Sequence, residues 1–287
     1  MRVKYLDVLK AFAIIAVVLY HCGFLTYGYL GVDLFLVING YLITKSLKDK
    51  TLNINILRGY TEFQISRIVR LLPVLMVAGV FAMIVGFFCM LPDDYENLSQ
   101  SIIATNFFGN NVLSAITTKN YWDVVNDYKP FMHTWYVGLV MQFYIIYPIL
   151  FYLARLDKKT PQKTLLTLVA SLVVVSLLVY FGTDNAAQRF YYLPARFFEF
   201  AVGGVVALIY KPTENSKPFN SLFVYICYAA LLLFFIVNKE IIPSNVKLVL
   251  VVALSCVLIC SKDVLENKVS GNNILAKIGA ASYSIFV

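Results

Sequence analysis

Charge is scarce in this sequence. Of its 287 residues only 14% are Asp, Glu, Lys or Arg, against 60% hydrophobic, and the mean hydropathy is +0.75. A soluble domain devotes roughly a quarter of its residues to charge, so a water-soluble globular class is excluded. No internal repeat, low-complexity run or separate polar domain is present. Cysteine is sparse, and Cys22, Cys89, Cys227, Cys256 and Cys260 all fall within apolar runs or at their ends. Cys256 and Cys260 share a helix face at i, i+4. With no nearby His or third Cys they make no zinc site, and buried apolar thiols are expected. The first apolar run is not followed by a small-residue cleavage site, and Lys10 lies just inside it, so it reads as a retained anchor rather than a signal peptide.

What the sequence has in abundance is apolar runs of the length a helix needs to cross a bilayer, roughly 17–25 residues. They fall near 8–26, 29–46, 71–91, 134–153, 164–182, 193–210, 219–238 and 244–261, with a last one beginning near 274. The expected fold is all-α: a polytopic transmembrane helix bundle of about nine to ten spans, the last truncated. Residues 1–287 are expected to form a single membrane-embedded domain, cut short at the C-terminus. Lys and Arg remain on the cytoplasmic side of short loops. A cytoplasmic N-terminus gathers Lys45, Lys48, Arg58, Arg67, Arg70, Arg155, Lys158, Lys159 and Lys163 there, leaving Lys119, Lys129, Arg189, Arg196, Lys239 and Lys247 outside. The net charge of +8 is therefore a topology signal, and the partner it implies is the lipid bilayer, not nucleic acid. An external stretch at 92–133 interrupts the rhythm. Its apolar middle, "SIIATNFFGNNVLSAI", is too short to cross and is expected to form an interfacial or re-entrant helix.

Ionisable groups inside apolar runs are costly and by default mark a functional path. Lys10 and His21 are eleven residues apart, about 1100° of helical turn, so they share a face some 16 Å apart along the axis; Asp7 joins that stripe. This suits a long thin ligand with a charged end at one surface and a reactive end deeper in. A snorkelling lysine and a packing histidine fit the spacing too. Arg67 and Arg70 stand at i, i+3 before the third run, with Pro73 after them; on a helix they present two guanidinium forks suited to phosphates, or a positive-inside anchor. At the other side, "HTWYVGLVMQFYIIYPIL" places His133 and Trp135 at the entrance of a run and Gln142 two turns deeper. Arg196 and Glu199, at i, i+3, either neutralise each other or line an acceptor path.

Taken in order, these motifs resemble the membrane acyltransferase family called acyltransferase 3. "Lys10, ten residues, His21" is similar to its basic-x10-His signature, "GYLGVDLFLVINGYLIT" to its Gly-Val-Asp segment ending Ser-Gly-Tyr-Leu-Ile, and "FQISRIVRLLP" to its Arg-x-x-Arg segment. "HTWYVGLVMQFYIIYP" resembles its His-Thr-Trp segment and "FYYLPARFFEFAVGG" a later one. The resemblance spans nearly the whole chain. It implies transfer of an acyl group, usually acetyl, from cytoplasmic acetyl-CoA to a sugar hydroxyl of an envelope or exported glycan such as lipopolysaccharide or exopolysaccharide, by a multi-pass protein of the bacterial inner membrane. Catalytic roles would fall to His21 and Asp33, binding of the coenzyme A phosphates to Lys10, Arg67 and Arg70, and the acceptor side to His133, Trp135, Gln142, Arg196, Glu199 and Asn39. No metal is implied.

The sequence departs from the family pattern at three places. Asn39 occupies the serine position, Val140 and Met141 stand where acidic residues are expected, and "LAKIGAASYSIFV" begins a last segment that normally runs on through an aromatic-His-Pro stretch. A transporter or flippase of glycan intermediates and a catalytically inactive relative are the competing readings. The first would show no acyl-coenzyme A binding, and the second no activity for His21→Ala to remove.

Overall fold

A computed structural model describes residues 4–50, 56–118, 129–210, 220–237, 242–261 and 273–287. Among them the secondary structure is entirely helical. In chain order the helices are α1 (Lys4–His21), α2 (Gly31–Lys50), α3 (Ile56–Cys89), α4 (Pro92–Asn106), α5 (Asn110–Thr117), α6 (Trp135–Ala154), α7 (Pro161–Gly182), α8 (Ala186–Tyr191), α9 (Leu193–Ile209), α10 (Ser221–Ile236), α11 (Ser244–Cys260), α12 (Ile274–Ala280) and α13 (Ser282–Phe286). Two 3-10 turns, Gly28–Leu30 and Met132–Thr134, lead into α2 and α6.

Five stretches are long and apolar enough to cross a membrane: Gly28–Lys48, Arg58–Cys89, Met132–Ala154, Pro161–Gly182 and Ala186–Ile209. Ser221–Ile236 and Ser244–Cys260 are apolar but shorter. The chain is thus a multi-pass helical membrane protein, with fewer full-length spans among the described residues than the nine or ten expected. The differences are physical. α1 carries Lys4, Asp7 and Lys10 in its first two turns, and the run beginning near 274 is broken into α12 and α13 at Ala281. In contrast, α3 is longer than its apolar run: 34 residues extend about 51 Å, so Arg67 and Arg70 lie within continuous helix and Pro73 sits inside it instead of ending a motif. The cysteines also differ from expectation. Only Cys227 is buried; Cys256 and Cys260 are half-buried, and Cys22 and Cys89 are exposed.

The helices fall into two compact units, residues 1–45 with 199–286 and residues 46–198 with 287. In the first, α1 is the central strut. The Tyr5 hydroxyl donates to the Ile259 carbonyl of α11 at 2.9 Å, and Phe12 packs on Tyr228 and Phe235 of α10. α12 lies so close that a Cβ on Gly279 would fall on the Asp7 carbonyl. α2 and α9 approach equally tightly: a Cβ on Gly40 would strike the Phe200 carbonyl, and one on Gly203 the Val37 carbonyl. Such small-residue contacts are how helices associate where lipid removes the hydrophobic drive.

In the second unit α3 and α4 form a hairpin with Gly86 against Leu98 and Gly79 against Ile102. Ser176 of α7 bridges one step of the α9 ladder: its hydroxyl donates to the Pro194 carbonyl at 2.7 Å and accepts the Phe198 N–H at 2.9 Å. The predicted middle segment is two helices, α4 and α5, divided at Phe107–Gly109, where Phe108 takes a positive φ of 56°.

Between α6 and α7, Asp157 caps the turn. It accepts the Thr164 and Thr160 hydroxyls at 2.6 and 2.8 Å and the backbone N–H groups of Lys159 and Thr160 at 3.0 and 3.2 Å. These bonds, Thr164's first, draw its carboxyl down to about 2. A depressed carboxylate adds stability that is complete above the unfolded pKa, near 3.8, and is lost as the pH falls through the folded one. Asp157→Ala should therefore speed amide exchange at Lys159 and Thr160 at neutral pH. Hydrogen-exchange mass spectrometry should find that difference shrinking below pH 4 and gone below pH 2.

Candidate functional site

Two groups of candidate residues emerge, one in each unit. In the first, Lys10 and His21 lie on α1 as the spacing required, but their surroundings differ. Lys10 is half-buried and its Nζ meets Asp7 Oδ1 at 3.2 Å, one turn back. His21 is exposed and ends α1. The stop is local: Gly23, at φ 79°, turns the chain out of the helix. The His21 ring lies 5.1 Å from Tyr20 in an edge-on contact, Tyr20 contacts Tyr29 at 5.4 Å, and Tyr29 contacts Tyr27 at 6.1 Å. On the Tyr27 face sits Lys247 Nζ from α11, 3.6 Å from the ring centroid, with Lys247 only 4% exposed. The Tyr27 N–H also donates to the Phe235 carbonyl at 3.2 Å. A run of aromatic rings thus ties His21 to a buried cation. The sequence marks Lys247 only as a topology signal, because its partner Tyr27 is more than 200 residues away. Asp33, in the first turn of α2, is buried, and Asn39, two turns on, is half-buried.

In the second unit the arginine pair stands on α3. The Arg67 guanidinium lies 4.9 Å over Phe63 and 5.4 Å over Tyr144 of α6. Its Nε is buried and makes no hydrogen bond among the described residues. Arg70, one turn further, is exposed. Arg67 is therefore held by ring faces, and among the described residues no carboxylate pairs with it.

What fixes α3 against α6 beside Arg67 is a proline. Pro148 lies inside α6 and has no N–H, so the Tyr144 carbonyl four residues back lacks its helical donor. Gln64 supplies one, its Nε2 donating to Tyr144 O at 2.8 Å, and the Tyr60 hydroxyl donates to Ile145 O at 3.2 Å. Neither Gln64 nor Tyr60 was singled out in the sequence. The only signal for them was Pro148 in an otherwise uninterrupted span.

The acceptor-side candidates also belong to this unit, except Asn39 and Glu199. Gln142 and Asn111 of α5 form a reciprocal amide pair at 2.8 and 3.1 Å, and Asn111 reaches on to the Tyr191 carbonyl at 3.1 Å. Gly138 makes room for it, since a Cβ there would meet Asn111 Oδ1. Trp135 is buried among Phe190 at 4.7 Å and Tyr191 at 5.8 Å. The Arg196 guanidinium, itself buried, lies 5.3 Å over Phe190 and 5.9 Å over Trp135. His133 is half-buried in the 3-10 turn, its ring 6.0 Å from Phe131. Glu199 is fully buried in the first unit. Val140 and Met141 are buried apolar residues of α6. Among the described residues no three His, Cys, Asp or Glu side chains are grouped to hold a metal.

Residues 3–287 match the family described as Acyltransferase domain, and the chain belongs to that family, acyltransferase 3. A Staphylococcus aureus (strain COL) protein named as an O-acetyltransferase is 28% identical over 311 aligned residues, covering 98% of this chain and 49% of the relative. The peptidoglycan O-acetyltransferase OatA of Listeria monocytogenes is 30% identical over 76% of this chain and 34% of its own length. A Bacillus subtilis protein named as a peptidoglycan O-acetyltransferase is 28% identical over 74% of this chain and 34% of its own. The chain thus spans about half the length of the first of these relatives and about a third of the others. No solved structure matches it.

The proline account has a direct test. Gln64→Leu should lower stability by roughly 1–3 kcal/mol, the cost of a buried unsatisfied carbonyl. Adding Pro148→Ala, which restores an N–H to that carbonyl, should recover much of the loss. A double-mutant cycle by thermal denaturation in detergent reads the coupling.

Proposed function

We propose that residues 1–287 act as one membrane-embedded O-acyltransferase domain, moving an acetyl group from acetyl-CoA to a hydroxyl of a cell-envelope polysaccharide. The observation that carries this reading is the family match over residues 3–287. The names of its relatives, O-acetyltransferases and peptidoglycan O-acetyltransferases, favour a cell-wall glycan over lipopolysaccharide or an exopolysaccharide. The bilayer is the bacterial inner membrane, crossed about nine to ten times, with the N-terminus cytoplasmic.

Arg67 and Arg70 bind donor phosphates; the ring-held Arg67, with an unclaimed Nε, is the side chain best suited to this. Lys10 adds a cation, and its neutralisation by Asp7 keeps it tolerable in an apolar setting. His21 is the general base. It takes the proton of the acceptor hydroxyl as that oxygen attacks the thioester carbonyl, and the coenzyme A thiolate leaves. Asp33 orients His21. On the acceptor side, His133, Trp135, Gln142, Arg196, Glu199 and Asn39 line the glycan path.

The test is transfer of radiolabelled acetyl from acetyl-CoA to isolated cell-wall glycan by membranes bearing the protein. His21→Ala should reduce transfer at least 100-fold, the scale of a lost general base, while leaving protein abundance in the membrane unchanged. Wild-type transfer that His21→Ala leaves intact would remove His21 from the reaction.

A further inference from the structure

On the second unit, α4 and the segment leading to α6 line an open cavity of about 210 Å³ formed by Asp94, Asn97, Leu98, Ser101, Lys129, Pro130 and Phe131. We infer that this cavity binds one pyranose unit of a polysaccharide. The inference rests on the acyltransferase reading for its biological meaning, but the chemistry comes from the lining alone.

Asp94, Asn97, Leu98 and Ser101 occur at i, i+3, i+4 and i+7, so they form one face of α4. Leu98 on that face and Phe131 from the segment leading to α6 are buried and give the floor an apolar patch. The side chains of Asp94, Asn97 and Lys129 make no hydrogen bond or ion pair among the described residues. Asp94, in the first turn of α4, also favours the helix N-terminus, but polar side chains converging on a concave site beside an apolar patch are the usual mark of ligand recognition. Their combination narrows the ligand. An anion would face the Asp94 carboxylate, and a bare cation would face the Lys129 ammonium. A neutral group whose hydroxyls both donate and accept satisfies both, and the amide of Asn97 and hydroxyl of Ser101 do the same in return. The row from Asp94 to Ser101 extends about 10 Å along the helix, longer than the adjacent charges of an amino acid need and long enough for its side chains to reach hydroxyls at both edges of a sugar ring. The apolar patch takes the C–H face of the ring.

The wall opposite α4 is rigid. The Phe131 carbonyl accepts from Asn110 Nδ2 at 2.9 Å and from the Thr134 hydroxyl at 2.8 Å, and Asn110 also donates to Thr134 Oγ1 at 2.8 Å. The Thr134 and Thr105 hydroxyls lie 2.6 Å apart, joining this wall to α4 behind the cavity. Such a buried network preorganises the site and reduces the ordering cost of binding. His133 lies two residues beyond Phe131, so a sugar held here is next to a residue already proposed for the acceptor side.

The experiment uses the full chain in detergent, titrated with a β-1,4-linked N-acetylglucosamine tetramer and read by saturation-transfer NMR, with acetyl-CoA binding measured in parallel. Wild type should bind the tetramer saturably. Asp94→Ala/Asn97→Ala, which alters only part-exposed or exposed side chains, should weaken that binding at least tenfold and leave acetyl-CoA binding intact. Lys129→Ala should weaken it less. Equal affinity in the double variant, no tetramer binding by a wild type that still binds acetyl-CoA, or displacement of the tetramer by glycine would each overturn the saccharide site. Tetramer binding lost in the variant, in a protein that neither binds nor uses acetyl-CoA, would support the cavity while overturning the acyltransferase reading.

Discussion

A side chain that carries charge in hydrocarbon must find its partners inside the protein, because no water is there to supply them. That constraint organises this molecule. Asp7, Asp33, Arg196, Glu199 and Lys247 are all less than a tenth exposed, while the faces of α3 and α7 turned outward are apolar, with Val77, Phe81, Val174 and Leu178 among the most exposed. The same rule applies to the backbone. Pro148 deprives one carbonyl of its donor, and a glutamine from α3 replaces it. The repair sets α3 against α6 at the level where Arg67 rests on Tyr144, so a backbone defect and a candidate binding residue share one anchor.

The two units solve the problem of polar groups differently. The first wraps α1 with glycine contacts from α12 and ring contacts from α10, leaving His21 at the helix end within a group of tyrosines steadied by Lys247. The second builds amide and hydroxyl networks: Asn111 with Gln142, and Asn110 with Thr134 and Phe131. Both arrangements fix a candidate group through contacts with neighbouring helices: His21 through the tyrosine rings, Gln142 through its paired amide.

Much of this was legible in the sequence, and the limits follow from distance along the chain. The apolar runs located the helices, and the stripe of Asp7, Lys10 and His21 needed only the helical period. The i, i+3 spacing of Arg67 and Arg70 was readable for the same reason. The partners of Gln142 and Gln64 were not, because each lies on another helix 31 or 80 residues away. The end of α1 was misplaced by five residues because hydropathy continues past His21, while Gly23 takes a backbone conformation that only a turn requires. The short helices at 274–286 look like one run in the sequence because their composition is uniform and the break at Ala281 has no proline or glycine at that residue.

The central claim is that the arginines of α3 receive the phosphates of an acyl donor. Isothermal titration of acetyl-CoA into detergent-purified protein tests it most directly, comparing wild type with Arg67→Ala/Arg70→Ala. The account predicts saturable binding by wild type and a loss of at least tenfold in the double variant. Equal binding by the two proteins, or none by a folded wild type, would contradict it.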